Sequence, residues 1–210
     1  MIFFEHAKVE SSMQEFLNQE LHAGQFKGSP RAVGDQVEEL VQMHVGALIP
    51  GIKNFERKFA RRAMEDLAFE DEAGNYYVVD VKTHNLQTQF NMPNLISVQR
   101  IAKFYRESTN YFCLLKIDYD TSAPVPVSAV HFVPIEHLDW RCLTLGALGW
   151  GQIQIANARN VICDRGQGRK AWMLKLCDAL DLFYPNEIRK ITDRQTHFAE
   201  ERRFWEAQPD

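Results

Sequence analysis

The sequence has no hydrophobic run long enough to cross a membrane, and its beginning lacks the features of a signal peptide. No window of the 210 residues approaches the roughly 18 uninterrupted apolar residues that a membrane span requires. The opening MIFFEHAKVE has three apolar residues after the initiator, meets an acid at Glu5, and has no basic start. These absences predict a protein without membrane attachment that stays in the cytoplasm.

Several motifs of enzymes and metal sites are also missing. The four cysteines, Cys113, Cys142, Cys163 and Cys177, are widely spaced, with no CxxC pair and no histidines at zinc-ligand spacing. We therefore expect reduced cysteines, most of them buried as small apolar side chains. The sequence has no phosphate-binding glycine loop and no nucleophile elbow, which argues against the common classes of small-molecule enzyme.

An overall positive charge is lacking too. Lysine and arginine number 24 against 28 aspartates and glutamates, so the net charge is -4 and does not draw the whole molecule to a polyanion. Any phosphate binding must be local, and the basic stretches 53–62 and 159–170 could supply it. Taken alone, each stretch is more typical of a solvated basic face.

What the sequence does contain is an alternation of helix and strand patterns at ordinary globular composition, with 45% hydrophobic and 25% charged residues. Helical spacing predicts one helix over 35–48, starting near Gly34 and Asp35, and a second that begins at Pro93. Strand patterns occupy 110–120, 127–135 and 150–157, and helical patterns occupy 169–184 and the charged segment 186–210. We expect a single domain, residues 1–210, of the α/β class with a central mixed β-sheet flanked by helices on both faces.

Residues 66 to 84 predict a β-hairpin that places acidic and basic side chains together. The turn signal Ala73-Gly74-Asn75 separates an acidic first arm from the strand YYVVDVK, which is rich in aromatic and β-branched residues. Because side chains alternate along a strand, Asp80 and Lys82 point to the same face. His84, at the end of this strand, is more typical of a surface or phosphate-contacting residue than of a catalytic base.

The hairpin can bring Asp66 on one arm close to Asp80 and Lys82 on the other. Two hard carboxylate ligands suit Mg²⁺ better than zinc, and a lysine beside them could position or deprotonate an attacking water, or stabilise phosphoryl charge. The pattern predicts a metal-dependent phosphodiesterase site. A solvated strand face with a cross-strand ion pair is the alternative that the spacing leaves open.

The segment DVKTHNLQTQFNMPNLIS, residues 80–97, resembles the catalytic segment of HincII-like type II restriction endonucleases with the PD-(D/E)xK active site, in the EcoRV-like branch. GDQVEELV at 34–41 and GQIQI at 151–155 resemble earlier and later parts of these enzymes in the same order. The resemblance implies a restriction-endonuclease-like fold. It also implies that Asp66, Asp80 and the Val81 carbonyl bind the metal, that Lys82 is the catalytic lysine, and that Glu38 is the acid of the first helix.

The same resemblance implies DNA contacts. Asn94 matches an asparagine that reads base edges, and an amide can pair bidentately with adenine. Asn91 stands where the relatives have a glutamine that wedges into DNA. Further candidates are Thr83 and Asn85 in the catalytic segment, Gln25 and Lys27 in a possible minor-groove or dimer loop at 24–33, and Gln152, Gln154 and Asn157. An ordinary surface loop and amides satisfied within a sheet are the alternatives for the last two groups.

The activity implied by the resemblance is that of a type II site-specific deoxyribonuclease. It would hydrolyse double-stranded DNA at a short palindromic site, as a homodimer, to give 5'-phosphate and 3'-hydroxyl ends. Mg²⁺ would be the cofactor, Mn²⁺ would substitute, and Ca²⁺ would support binding without cleavage. A prokaryotic cytoplasmic location and pairing with a cognate DNA methyltransferase would follow. The alternatives are a MutH-like repair nickase and a catalytically silent DNA-binding module of the same fold.

Overall fold

The computed structural model describes residues 6–21, 30–57, 66–120, 122 and 126–209. Within the first compact unit, residues 1–168, the helices and strands follow one another as α1 His6–Glu20, α2 Pro30–Leu48, β1 Ile52–Arg57, β2 Leu67–Asp71, β3 Tyr76–Asn85, β4 Asn94–Ser97, α3 Val98–Phe104, β5 Asn110–Tyr119, β6 Val127–Pro134, β7 Leu143–Gly146 and β8 Gln152–Ile155. The second unit, residues 169–210, consists mainly of helix α4, Arg169–Glu206.

The main sheet has five strands in the order β1-β2-β3-β5-β6. β1, β2 and β3 are antiparallel neighbours, whereas β3 and β5 run parallel through ten residue pairs, from Tyr76 opposite Asn110 to Asn85 opposite Tyr119. A parallel pair needs a crossover connection, and β4 and α3 lie within it. The sheet is therefore mixed, as the sequence predicts.

The β2–β3 hairpin is confirmed, and hydrogen bonds to the side chain of Asp71 stabilise its turn. The carboxylate of Asp71 accepts hydrogen bonds from the backbone N–H groups of Ala73 and Asn75, each at 2.9 Å, and from the Tyr77 hydroxyl at 2.8 Å. Gly74 has a φ of 78°, in the left-handed region that glycine adopts without strain. The turn is thus specified by local side-chain chemistry, which a sequence pattern can reveal.

The two faces of β3 are divided as the strand alternation predicts. Tyr77, Val79 and Val81 are buried in a core with residues of α1 and α2 on one face of the sheet. On the other face the ring of Tyr76 lies 6.2 Å from that of Phe104 at the end of α3. Helices therefore cover both faces, and the fold class agrees with the restriction-endonuclease-like arrangement that the resemblance implies.

Two predicted helix starts are wrong. Helix α2 begins at Pro30, not near Gly34 and Asp35, because its apolar stripe extends back to the fully packed Val33. Pro93 does not begin a helix: residues 94–97 form β4, which pairs with β8, and α3 starts only after Ser97, whose hydroxyl accepts from the Arg100 N–H. Tertiary strand pairing overrides the helical spacing here.

Other elements escape the sequence patterns altogether. Helix α1 and strands β1, β4 and β7 were not predicted, and β4, β8 and β7 form a separate three-stranded antiparallel sheet. The strands at 110–120, 127–135 and 150–157 are confirmed as β5, β6 and β8. Of the cysteines, Cys113 and Cys142 are buried, but Cys163 and Cys177 are exposed, contrary to the expected burial of most of them.

Helix α4 runs without a break from Arg169 to Glu206 and includes Pro185. It confirms the helical patterns at 169–184 and over most of 186–210. Trp172 and Leu176 are buried, whereas nearly all residues after Leu182 are at least partly exposed. None of the helices in the described part of the chain is both long and apolar enough to span a membrane.

Candidate active site at the end of the β2–β3 hairpin

The site forms at the open end of the hairpin, where β2 begins at Leu67 and β3 continues past Val79. The last pair between the two strands joins Leu67 to Val79, and the Asp66 N–H still donates to the Val79 carbonyl at 3.1 Å. The Asp66 side chain then turns along β3, and its Oδ2 accepts a hydrogen bond of 2.7 Å from the Val81 N–H. This hydrogen bond fixes the Asp66 carboxylate beside the backbone of the predicted catalytic segment.

Asp80 and Lys82 lie on one face of β3, as predicted. The Lys82 Nζ donates to Asp80 Oδ1 at 2.5 Å. Asp80 is only 7% exposed, and its second oxygen, Oδ2, is buried with no hydrogen-bond partner among the described residues. A buried carboxylate oxygen without a partner is costly, and proteins keep such groups mainly where a ligand or ion completes them.

Glu38 of α2 is part of the same electrostatic cluster. Burial and the neighbouring Asp66 raise the pKa of Glu38, while Lys82 lowers it. Because α2 starts at Pro30, Glu38 lies in its third turn, and its side chain is half-buried. The structure thus brings Glu38, Asp66, Asp80 and Lys82 together from three elements.

The charges of this cluster do not balance. Burial raises the pKa of Asp80 to about 7, although Lys82 opposes the rise, and Asp66 and Glu38 add to it. Burial lowers the pKa of Lys82, but the Asp80 carboxylate outweighs this effect, so the pKa lies above its ordinary value. Deprotonation of water by Lys82 would require a lowered pKa, and without a bound metal the pKa of Lys82 is raised instead. The three acids of the cluster are accompanied by a single cation, the ammonium group of Lys82, so the cluster attracts a second cation.

The donor set fits a hard divalent ion. In the described ranges no group of three or more His, Cys, Asp and Glu side chains is arranged to hold a metal, so two carboxylates would have to be supplemented. The Val81 N–H points to Asp66, and the carbonyl of a strand residue points to the same edge as its N–H. Mg²⁺ commonly uses one or two carboxylates and keeps several waters, so Asp66, Asp80 and the Val81 carbonyl suit it.

The carboxylates open into a cleft of about 330 Å³. Its other lining residues come from β4, from α3, from the turn before β8 and from the first residue of β8: Leu95, Ile96, Ser97, Gln99, Arg100, Leu148, Gly149, Trp150 and Gln152. Leu148 and Trp150 are each 64% exposed. The turn that carries them contains Gly149 and Gly151, both with positive φ.

Trp150 was missed by sequence reasoning, which considered it only as part of a strand. A bulky aromatic residue between two glycines was the available signal, because glycines at positive φ mark a turn and a turn exposes its side chains. The structure places this exposed indole in the wall of the cleft that holds both aspartates. An aromatic face at this point can stack on a nucleic acid base.

A second ionic group lies further along the same face of the sheet. The Lys116 Nζ donates to Asp118 Oδ2 at 2.5 Å, and the ring Nδ1 of His84 lies 2.9 Å from Asp118 Oδ1. His84 is only 2% exposed, so the expectation of a surface histidine is wrong: its parallel partner on β5 is Asp118, which buries it. The alternating charges of Lys116-Ile117-Asp118 were the sequence signal for this group.

The predicted DNA contacts lie in different environments. The Gln154 Nε2 donates to the Asn94 Oδ1 at 2.6 Å across the β4–β8 pair, and Gln152 lines the cleft. Thr83 points to α2, where a Cβ on Gly34 would lie 2.8 Å from its hydroxyl oxygen. Asn94, Gln154 and Gln152 therefore form one polar strip, of which Gln152 reaches the cleft, and Thr83 lies away from it.

The other amides support loops. The Asn85 Oδ1 accepts from the Gln87 N–H at 2.9 Å, and the Asn157 Oδ1 accepts from the Arg159 N–H at 3.1 Å. For Asn91 it is the backbone that bonds: its main-chain carbonyl accepts from the Ala158 N–H at 2.8 Å. Gln25, Lys27 and residues 58–62 of the first basic stretch lie outside the described residues, and residues 30–33 of the predicted loop belong to α2.

Comparisons with known proteins leave the family open. No family model matches the chain, and no curated protein matches it. Among solved structures, the chain is similar to a Holliday junction resolvase of the archaeal hyperthermophile Archaeoglobus fulgidus, with 12% identity and a TM-score of 0.32. That match covers 56% of this chain and 85% of the resolvase. A likeness this weak supports no conclusion about function, so the geometry of the site has to carry it.

Proposed function

We propose that the protein is a Mg²⁺-dependent endonuclease that hydrolyses phosphodiester bonds of double-stranded DNA. The observation that carries the proposal is the buried Oδ2 of Asp80, which has no hydrogen-bond partner among the described residues. Asp80 is paired with Lys82 and lines a cleft together with Asp66. A solvated strand face, the alternative left open by the spacing, does not explain a buried carboxylate with a free oxygen. A metal-binding phosphodiesterase site does.

Each member of the cluster has a distinct task in this proposal. Asp66, Asp80 and the Val81 carbonyl would hold Mg²⁺, which when bound supplies a Lewis acid that neutralises charge on the scissile phosphate. The Val81 N–H keeps the Asp66 carboxylate in place. Lys82, held as a cation by Asp80, donates hydrogen bonds toward the phosphate or the attacking water and stabilises negative charge as the new P–O bond forms.

Glu38 and the polar strip complete the proposed site. Glu38 adds negative charge that strengthens the attraction of the cluster for a cation. Asn94 and Gln154, already joined by a hydrogen bond, would face base edges, and Gln152 would contact DNA from the cleft wall. Amide groups carry both a donor and an acceptor, which is what direct reading of base edges requires.

The finer proposal is a type II restriction endonuclease. It would act as a homodimer on a palindromic site, produce 5'-phosphate and 3'-hydroxyl ends, and work beside a cognate methyltransferase in the cytoplasm of a prokaryote. Mn²⁺ would replace Mg²⁺ in cleavage, and Ca²⁺ would support DNA binding alone. The resemblance of residues 80–97 supports this choice over other nucleases.

Digestion of phage and plasmid DNA tests the proposal. Purified protein with Mg²⁺ should give discrete fragments, and Lys82→Met should give none while still binding DNA in Ca²⁺. The matched control is Lys103→Met, an exposed lysine on α3 outside the cleft, which should cut normally. Intact DNA across several substrates with Mg²⁺ and with Mn²⁺ would refute the catalytic proposal.

The form of the product separates the remaining possibilities. Linear plasmid with mapped 5'-phosphate ends supports the restriction endonuclease, and an accumulation of nicked circles supports a MutH-like nickase. DNA binding in Ca²⁺ without cleavage in any metal supports a silent binding module. Sequencing the ends of the fragments gives the recognition site and the position of the cut.

A further inference from the structure

Helix α4 carries an apolar seam with a spacing of alternately three and four residues. The seam consists of Leu174, Cys177, Asp181, Tyr184, Ile188, Ile191, Gln195, Phe198, Arg202 and Trp205. Seven of these ten positions are apolar, against seven of the other 22 between residues 174 and 205. The average spacing of 3.5 residues is that of helices that wind around each other.

Every position of this seam is exposed in the single chain. Phe198 is 68% exposed, Trp205 67% and Ile188 64%. A surface residue or two of this kind is ordinary in soluble proteins, but a continuous seam over more than four helical turns is typical of an interface. Pro185 lies beside the seam rather than in it, so its ring does not occupy the contact line.

We propose that α4 pairs with α4 of a second copy of this chain in an antiparallel coiled coil. The charged seam positions decide the orientation. In a parallel pair identical residues face each other, so Asp181 would meet the partner's Asp181 and Arg202 the partner's Arg202. Glu201 would also flank the partner's Glu206. Like charges held in contact oppose association, so the electrostatics of the seam disfavour the parallel arrangement.

One antiparallel register removes these conflicts. It places Ile188 against the partner's Ile191 at the centre and Leu174 against the partner's Trp205 at each end. In the same register Glu187 lies beside the partner's Arg194 on both sides, which gives two complementary ion pairs. If one helix slides by one heptad, Arg194 can instead come to lie beside the partner's Arg194, which opposes association. The seam thus specifies its partner as a second copy in a defined direction.

The mass of the full-length protein and of two variants tests this pairing. The finer proposal above also expects a homodimer, so the variants, and not the wild-type mass alone, assign the dimer to α4. Sedimentation equilibrium should give twice the chain mass of 24.4 kDa. Ile191→Glu should raise the dissociation constant by at least about 100-fold, because each dimer would bury two unpaired carboxylates. Leu182→Glu is the matched control: Leu182 is 73% exposed on the same helix but off the seam, and this variant should remain a dimer.

Two results would overturn the pairing. One is a wild-type chain that stays monomeric up to its solubility limit. The other is a dimer that Ile191→Glu leaves intact while circular dichroism shows both variants folded. Because both substituted side chains are solvent-exposed in the single chain, a loss of dimer in Ile191→Glu alone reports on the seam and not on folding.

The orientation has its own test, which uses a native cysteine. In the antiparallel register Arg202 faces the partner's Cys177, and Cys177 is exposed in the single chain. Mild oxidation of Arg202→Cys should therefore give a disulfide-linked dimer whose linked peptides contain positions 177 and 202. The double variant Arg202→Cys with Cys177→Ser should lose this link. A link between two copies of position 202 in the double variant would establish the parallel orientation and refute the proposed one.

Discussion

Replacing Asp80 by asparagine should stabilise the metal-free protein while abolishing its proposed activity. Burial raises the pKa of Asp80 from 3.8 to about 7, so the folded protein resists ionisation of this group. The penalty is absent below pH about 4, grows between pH 4 and 7, and is complete above pH 7. At roughly 1.4 kcal/mol per pKa unit, this difference corresponds to about 4 kcal/mol at pH 8.

The measured gain should be smaller than this limit. The attraction between Asp80 and Lys82 is already contained in the pKa of about 7, but the buried asparagine amide also places N–H donors beside the Lys82 ammonium group. We therefore expect a gain of about 2 kcal/mol in the free energy of unfolding at pH 8, after allowing for the burial of this amide. At pH 4.5 most of the gain should vanish, because the wild-type carboxyl is then protonated.

Urea unfolding in EDTA at pH 4.5 and pH 8 measures both effects. Asp193→Asn, a neutralised aspartate on the exposed surface of α4, is the control and should change the free energy of unfolding little at either pH. Adding Mg²⁺ or Ca²⁺ at pH 8 should stabilise the wild type and leave Asp80→Asn unchanged. An Asp80→Asn protein that is less stable than the wild type at pH 8, or a gain that does not depend on pH, would refute the reasoning.

Three further outcomes follow from the same structure. Asp118→Ala should lower the free energy of unfolding by about 3–5 kcal/mol, measured by urea denaturation, because it leaves the buried Lys116 without its ion-pair partner; an effect under 1 kcal/mol would contradict a paired cluster. Trp150→Ala should weaken DNA binding in Ca²⁺ about 10-fold or more in a fluorescence anisotropy titration, whereas Phe90→Ala, equally exposed but outside the cleft, should not. Mg²⁺ affinity, measured by calorimetry, should rise from pH 6 to pH 8 as Asp80 ionises, and a flat profile would remove Asp80 from the metal site.

The parts of the fold that sequence reasoning predicts are those decided by local chemistry. The β2–β3 hairpin is specified by a tight turn and by alternation of aromatic and β-branched residues, so its two faces, with Asp80 and Lys82 on one of them, follow from the pattern. The juxtaposition with Asp66 also follows, because the hairpin register is set by the turn. Glu38 was reached through the resemblance alone.

The parts that were missed depend on partners far away in the chain. Nothing near Pro93 shows that residues 94–97 pair with β8, which is why a helix was expected there. His84 is buried because its neighbour in the parallel strand is Asp118, 34 residues later in the chain, a pairing that no local pattern reveals. Trp150 becomes part of the site only because its turn lies opposite the hairpin.

β3 extends beyond the start of β2, so the site depends on the register of the two strands, and this limits where insertions can be accepted. The position of Asp66 relative to Asp80 and Val81 on β3 is set by the β2–β3 register, in which Leu67 lies opposite Val79. Extra residues in that exposed turn leave this register intact and should be tolerated. A single residue inserted within β2 would instead exchange its inward and outward side chains and carry Asp66 away from the Val81 N–H. We therefore expect natural variation in length to concentrate at the turn and to be absent from the five residues that follow Asp66.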